Sequence, residues 1–206
     1  MQVMTSKIPQ AGFSEACELN KVPILRILRT AFAECADVLE VGSGTGQHAL
    51  YFSEHLPHLF WQPSDTGDYL KGLRARVDHS DLANLKITLE LDVRMPSWPV
   101  EQVSGIFTAN SLHFMAEKSV QELFRGVGEV LEAGGILFVY GPFRYHAEFT
   151  SESNARFDQW LKQTDPVRGI RDFEWVNELA IEQGLDLQSD TAMPANNQAL
   201  VWQLAP

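Results

Sequence analysis

The chain has 206 residues, of which 45% are hydrophobic, and this suits one compact domain with a buried core. It carries 16 lysines and arginines against 27 aspartates and glutamates, a net charge of −11 that argues against nucleic acid as a partner. No apolar run is long enough to span a membrane, the start lacks a signal-peptide pattern, and two cysteines, Cys17 and Cys35, indicate a reducing compartment. We therefore expect a cytoplasmic protein with no membrane partner.

The first predicted element is a helical cover within residues 1–35. Ser14 is a suitable N-cap, and apolar residues recur at helical spacing after it. Pro23 fits the first turn of a helix better than its interior, so we expect a break near residues 20–22. Such a break would bring Asn20 over a ligand cleft; an ordinary amphipathic helix that covers the sheet is the alternative.

Residues 38–52 predict a strand, a glycine turn and a helix in direct succession. Gly42, Gly44 and Gly46 alternate in the turn, where glycine permits positive φ and close approach of a ligand. The following helix start would favour a negatively charged group. A dinucleotide fingerprint, G-x-G-x-x-G, needs glycine where Gln47 stands, so an NAD-dependent oxidoreductase is a less favoured alternative.

Three acidic residues come at the ends of predicted strands. Glu40 precedes the glycine turn, Asp65 ends a strand over 59–65, and Asp92 comes near the end of an alternating stretch over 85–93. In open α/β sheets, ligands lie beyond the carboxyl ends of the strands. A carboxylate at the end of the second strand can accept hydrogen bonds from both hydroxyls of a ribose. This geometry serves NAD and S-adenosylmethionine alike. Alternatively, Asp65 only caps the next helix.

Histidine and cysteine spacing predicts no metal site. His55 and His58 lie on either side of the predicted helix end before Pro57. Neither cysteine has a second cysteine or histidine at the sequence spacing typical of metal sites. We interpret these histidines as surface residues.

A fourth strand and the loop after it occupy residues 105–114. Asn110 and His113 lie in this loop. A histidine has a pKa near neutrality, so His113 is a candidate general base or orienting group; a packed loop histidine is the alternative.

The remaining predicted elements complete an alternating α/β pattern. They are a helix over 119–131 that Gly134 and Gly135 end, a strand over 136–142, a helix that Asp172 caps, and a closing hairpin of strands over 185–193 and 198–204. Between them, the segment 143–172 mixes polar and aromatic side chains, which suits a substrate lid and equally a surface helix.

The pattern E-x-G-x-G-x-G over residues 40–46 resembles the first motif of class I S-adenosylmethionine (SAM)-dependent methyltransferases. This resemblance implies one α/β, Rossmann-like domain over 1–206, with a seven-stranded, mostly parallel sheet of order 3-2-1-4-5-7-6 and helices on both faces. It also implies SAM as the cofactor. The residues implied to bind SAM are Glu40, Gly42, Ser43, Gly44, Thr45, Gly46, Asp65, Asp92, Val93 and Asn110.

Further motifs resemble the methyltransferase-like protein 26 family, a group without a known substrate. They are Asn20-Lys21-x-Pro23-Ile24-Leu25, Trp61-Gln62-Pro63-Ser64-Asp65, Ala109-Asn110-x-x-His113, Gly169-Ile170-Arg171-Asp172 and Met193-Pro194-Ala195-Asn196-Asn197. This resemblance covers nearly the whole chain.

Together the motifs imply a methyltransferase that acts on a small-molecule substrate, with Asn110 and His113 as catalytic candidates. The candidates for acceptor contact are Asn20, Tyr145, Arg171 and Asn196. A SAM-binding module without catalysis, acting as a sensor or partner subunit, is the alternative. The acceptor and the oligomeric state stay open.

Overall fold

The computed structural model describes residues 12–206, so the part of the predicted cover over 1–11 lies outside the described residues. The helices are α1 (Glu15–Ala31), α2 (Gln47–His55), α3 (Tyr69–Asp78), α4 (Glu117–Val130), α5 (Glu152–Thr164) and α6 (Phe173–Glu182). The strands are β1 (Asp37–Val41), β2 (Phe60–Asp65), β3 (Leu89–Glu90), β4 (Val103–Ala109), β5 (Leu131–Gly141), β6 (Phe143–Tyr145), β7 (Glu148–Phe149), β8 (Arg171–Asp172), β9 (Leu185–Met193) and β10 (Asn197–Leu204). None of the helices in this described part is long and apolar enough to cross a bilayer.

Seven strands form the main sheet, in the order β3-β2-β1-β4-β5-β10-β9. Neighbours from β3 to β5 run parallel, whereas β10 is antiparallel to both β5 and β9. When only the strands of this sheet are counted, the order is the expected 3-2-1-4-5-7-6. The predicted α/β class is confirmed. A small second sheet, β7-β6-β8, was not predicted.

Two apolar cores lie on opposite faces of the main sheet. Side chains alternate along each strand, so Val38 and Phe107 face one core and Leu39 and Ile106 face the other. Helices α1 and α2 contribute to the first core, and α4 and α6 to the second. Because both faces are covered, a ligand can reach the parallel strands most easily at their carboxyl ends.

Helix α1 is continuous, and the expected break near residues 20–22 is wrong. Ser14 is the N-cap, and its hydroxyl accepts a hydrogen bond of 3.3 Å from the Cys17 amide. Pro23 lies inside the helix and lacks the N–H that would bond the Leu19 carbonyl. Leu19 is 72% exposed, so water can bond this carbonyl and the helix continues through the proline.

Strand β3 is shorter than the predicted stretch over 85–93. Besides the two residues of β3, Leu85 forms an isolated bridge with Trp61. The Gln62 side chain donates to the Ile87 carbonyl between these contacts. As an edge strand, β3 has a partner on one side only, so a side chain can replace part of its backbone ladder.

The Gly134-Gly135 pair does not end α4 as expected. The helix passes directly into β5 at Leu131, which pairs with Val103. The two glycines lie inside β5, where the register with β4 shifts before Gly105, and Gly134 has a φ of 78°. The pair therefore accommodates an irregular strand.

The segment 143–172 forms β6, β7, α5 and β8, and it packs on the loop after β4. The Gly169 amide donates to the His113 carbonyl at 3.0 Å. The Asn154 side chain donates to the Asn196 carbonyl at 2.9 Å, just before β10. These bonds place the segment beside the carboxyl ends of β4 and β5.

Candidate functional site

The three alternate glycines have the backbone geometry that their spacing predicted. Gly42, Gly44 and Gly46 have φ values of 77°, 54° and 75°, a region that other residues rarely adopt. Gly46 is also the N-cap of α2. A Cβ atom on Gly42 would lie 2.7 Å from the Ser111 hydroxyl, so a side chain at this position would force Ser111 to move.

The amides of the turn are largely occupied within the protein. Those of Gly42 and Ser43 donate to the Ser64 carbonyl at 3.1 and 2.9 Å, and the Ser64 amide donates to the Ser43 hydroxyl at 3.1 Å. The Thr45 hydroxyl donates to the Gln47 side chain at 3.0 Å. Because these donors are satisfied, the turn favours close contact with a ligand over phosphate binding.

Asp65 connects β2 to the glycine turn and borders a cavity. Its Oδ2 accepts a hydrogen bond of 2.6 Å from the Gly44 amide, and its Oδ1 accepts one of 2.7 Å from the Thr66 amide. Burial raises the pKa of Asp65 above its ordinary value, although these two amides oppose that effect. The cavity measures about 190 Å³ and is lined by Val41, Gly42, Asp65, Thr66, Leu91, Asp92, Val93, Arg94, Met115 and Ser119.

Asp92 lies on the same cavity, paired with an arginine. The Arg94 side chain donates from Nε to Asp92 Oδ1 at 2.9 Å, and the Arg94 amide donates to the same oxygen at 3.0 Å. This arginine holds the pKa of Asp92 below its usual range. Val93 also lines the cavity, and its carbonyl accepts a hydrogen bond of 3.3 Å from the Trp98 indole N–H.

Glu40 is buried close to the turn and does not line that cavity. It is 2% exposed, and its Oε2 accepts a hydrogen bond of 2.9 Å from the Trp61 indole N–H. Burial raises the pKa of Glu40 to about 7, while Trp61 and Ser43 oppose the increase and Asp65 adds to it. The structure thus places two of the three strand-end acids on one cavity and the third in the interior.

Asn110 and His113 lie near each other beyond β4. Asn110 has a φ of 56°, an unfavourable value for a residue with a side chain, and its amide donates to the Tyr140 carbonyl at 2.8 Å. A Cβ atom on Gly141 would lie 3.8 Å from His113 Nδ1 and 3.9 Å from Asn110 Oδ1. Burial lowers the pKa of His113 to about 3, and the positive charge of Arg171 adds to this effect.

Arg171 holds the loop that carries His113. It donates to the Leu112 carbonyl at 3.4 Å, to the Val167 carbonyl at 2.9 Å and also to the Met115 carbonyl. It also forms an ion pair of 3.5 Å with Glu117. These bonds give Arg171 a structural task, whether or not it also contacts an acceptor.

The other three acceptor candidates also bond within the protein. The Tyr145 hydroxyl donates to Asp190 at 2.7 Å, and the Asn196 side chain donates to the Ser153 hydroxyl at 3.2 Å. Asn20 is buried on α1 and bonded to a histidine of α2. A direct role for these residues in acceptor binding stays a prediction.

Several residues that border the site were not predicted, and they share no motif. They are Val41, Thr66, Leu91, Arg94, Ser111, Met115 and Ser119. Arg94 could have been predicted from the sequence, because an arginine two residues after an acid near a strand end can fold back and pair with that acid. Within residues 12–206, no group of three or more His, Cys, Asp and Glu side chains is placed to hold a metal ion.

A family model described as "Protein of unknown function (DUF938)" matches residues 11–204. The chain belongs to this family. The description assigns no activity to DUF938 proteins.

Solved methyltransferase structures share the fold of this DUF938 chain. The apo SAM-dependent methyltransferase SibL matches with a TM-score of 0.77 and 21% identity, over 93% of this chain and 56% of SibL. An O-methyltransferase family protein from Burkholderia thailandensis matches with a TM-score of 0.78 and 14% identity, over 93% of this chain and 58% of that protein. Human N-acetylserotonin methyltransferase in complex with SAM matches with a TM-score of 0.76 and 16% identity, over 93% of this chain and 53% of that protein. The chain thus spans little more than half of each of these proteins, and at such identities the likeness is one of fold.

Proposed function

We propose that this DUF938 protein is a SAM-dependent methyltransferase with a small-molecule acceptor. The observation that carries the proposal is the hydrogen bond between Asp65 and the Gly44 amide at the cavity that Asp92 also borders. A carboxylate fixed in this way keeps lone pairs for the two hydroxyls of a ribose. The second acid, near the end of β3, suits the adenine end of the same nucleoside.

The chemistry of the site fits this cofactor better than a dinucleotide. The glycine turn has few amides left for a pyrophosphate, and the φ values and close packing at Gly42 suit direct contact with a ligand. The carboxylate of Asp65 at the cavity favours a cationic ligand over an anionic one. When bound, SAM supplies an electrophilic methyl group on a positively charged sulfur.

The residues beyond β4 would align the acceptor. Asn110, strained and beside Gly141, is placed to orient a polar group through its side chain. His113 is neutral at pH 7, because its pKa is lowered to about 3, and it is therefore a weak base. We expect His113 to orient the acceptor rather than to remove a strongly held proton.

A non-catalytic SAM-binding protein is the second candidate. The burial of His113 and the attachment of its loop to Arg171 favour it, because both leave less freedom around an acceptor. The two functions share the nucleoside site and differ only in whether a methyl group leaves.

Three further assignments belong to the same proposal. The motifs that include Asn110 and Asn196 support a relationship to the methyltransferase-like protein 26 family. The contacts of 143–172 with the loop after β4 support a substrate lid within a single domain. The acidic surface and the two free cysteines support a cytoplasmic location.

The experiment that tests the enzyme is transfer of a labelled methyl group from SAM to a panel of small metabolites. The matched control is Asn110→Ala, which removes the side chain beyond β4 and leaves Asp65 and Asp92 in place. Formation of S-adenosylhomocysteine (SAH) by the wild type, reduced in the variant, supports the enzyme. SAM binding without turnover on the whole panel supports the non-catalytic protein instead.

A further inference from the structure

Arg94 holds both carboxylate oxygens of Asp92 at the cavity that Asp65 and Asp92 border. Its Nε donates to Oδ1 at 2.9 Å and to Oδ2 at 3.2 Å, its amide donates to Oδ1 at 3.0 Å, and its Nη2 donates to Oδ2. A carboxylate offers about four lone-pair sites. Because these four bonds fill them, Asp92 has no acceptor site left for a ligand while Arg94 stays in place.

The ion pair lies partly in water, at the border of the cavity. The side chains of Asp92 and Arg94 are 23% and 68% exposed, and both residues line the cavity. Among the described residues that line it, Arg94 alone carries a positive charge. Exposed ion pairs contribute little free energy, because water and the freedom of the side chains oppose them. The guanidinium can therefore leave Asp92 at a small cost when a ligand offers a bond in its place.

The guanidinium and a nucleoside base compete for the same two oxygens. The proposed function puts the base beside Asp92, and an amino group on that base is a donor that a carboxylate accepts. Such a bond requires Arg94 to release at least one oxygen. The Arg94 amide belongs to the main chain and keeps its bond to Oδ1, so Asp92 stays oriented when the side chain leaves. The competition is thus confined to the Arg94 side chain.

We propose that Arg94 is a specificity-determining residue of the nucleoside site, because its guanidinium competes with the amino group of the base for Asp92. A base with a keto group in place of the amino group offers an acceptor there. Such a base leaves Arg94 on Asp92 and accepts from the guanidinium. Arg94 therefore weakens the binding of the amino base and narrows its advantage over the keto base. The proposal rests on the proposed function and deepens it, since it names a residue that sets which base the site prefers.

Isothermal titration tests this with two ligands: SAH, and the SAH analogue that has a keto group in place of the amino group of the base. SAH has no net charge, so removing a cation does not by itself strengthen its attraction to the site. Arg94→Met keeps an unbranched side chain and removes its donors. It should bind SAH about three- to fivefold more tightly than the wild type and bind the keto analogue no more tightly. Arg156→Met is the matched control, because Arg156 is 69% exposed and paired with Glu152 on α5; it should bind both ligands as the wild type does.

Arg94→Lys separates competition from charge, since lysine keeps the cation but lacks the planar fork that holds both oxygens. It should bind SAH more tightly than the wild type and less tightly than Arg94→Met. Unchanged or weaker SAH binding in Arg94→Met, an equal gain for the keto analogue, or an Arg94→Lys variant that matches the wild type would overturn the proposal. If the wild type binds neither SAM nor SAH at millimolar concentration, the proposed function fails and this proposal fails with it. SAH binding by the wild type without the gain in Arg94→Met refutes this proposal alone.

Discussion

The Asp65 carboxylate and the Gly44 amide are joined by a hydrogen bond of 2.6 Å that ties the end of β2 to the turn after β1. Asp65 thereby has two tasks, since it holds the turn and borders the cavity. Hydrogen bonds to ionised groups contribute about 1.5–3 kcal/mol, more than bonds between neutral groups. The geometry of the nucleoside site therefore depends strongly on this one carboxylate.

Gly42→Ala tests whether the turn requires close approach as well as positive φ. Gly67 is a matched control, because it also has a positive φ, of 60°, but open space around its Cβ position. A positive φ alone costs an alanine about 1–2 kcal/mol. The clash with Ser111 should destabilise Gly42→Ala by at least about 1 kcal/mol more than Gly67→Ala in urea unfolding. Equal effects would show that crowding at Gly42 is unimportant.

Glu40 should make the folded protein less stable as pH rises. Its pKa is raised from 4.5 to about 7 by burial, so between these values the unfolded chain loses a proton that the folded protein keeps. The free energy of unfolding should then fall with pH across this window, by about 3 kcal/mol at most. Glu40→Gln keeps an acceptor for Trp61 and should remove that contribution. Parallel stability curves for wild type and variant would contradict the burial effect.

His113 should remain neutral between pH 5 and pH 8, since its pKa is lowered to about 3. NMR titration of its ring nitrogens, assigned with His113→Gln, measures this directly. Because the unfolded chain takes up this proton near the ordinary value of 6.5 and the folded protein does not, His113 should reduce stability as pH falls below that value. A titration near neutrality would instead restore His113 as a general base.

Arg171→Gln should destabilise the loop after β4. The guanidinium donates to the Leu112 and Met115 carbonyls of this loop and to the Val167 carbonyl after α5, and loss of the bond to the buried Leu112 leaves its carbonyl unsatisfied at a cost of about 1–3 kcal/mol. The control is Arg156→Gln, since Arg156 makes one exposed pair with Glu152 at 3.6 Å, worth about 0.5 kcal/mol or less. Hydrogen exchange of residues 112–115 should accelerate only in Arg171→Gln. Similar unfolding free energies for the two variants would refute this role.

The features that sequence predicts well here are those set by local chemistry. The glycine turn, the strand ends at Asp65 and the cap at Ser14 follow from backbone geometry and hydrophobic period. The resemblance of the motif over 40–46 implies the strand order, and the sheet confirms it.

The features that sequence missed depend on distant neighbours. Pro23 lies inside α1, and Leu19, whose carbonyl it leaves without a helical partner, is exposed to solvent. Glu40 turns to an indole on β2, and Asp92 pairs with Arg94, although all three strand-end acids share the same local pattern. Local pattern identifies a strand end, but it does not decide which way the carboxylate points.

Isothermal titration with SAM is the most direct test of the account. We predict that the wild type binds one equivalent, that Asp65→Asn binds about tenfold more weakly or worse, and that Asp68→Asn, at an exposed neighbour, is unchanged. An absence of heat with the wild type at millimolar SAM, or equal affinity in Asp65→Asn, would contradict the assignment of this cavity to the cofactor.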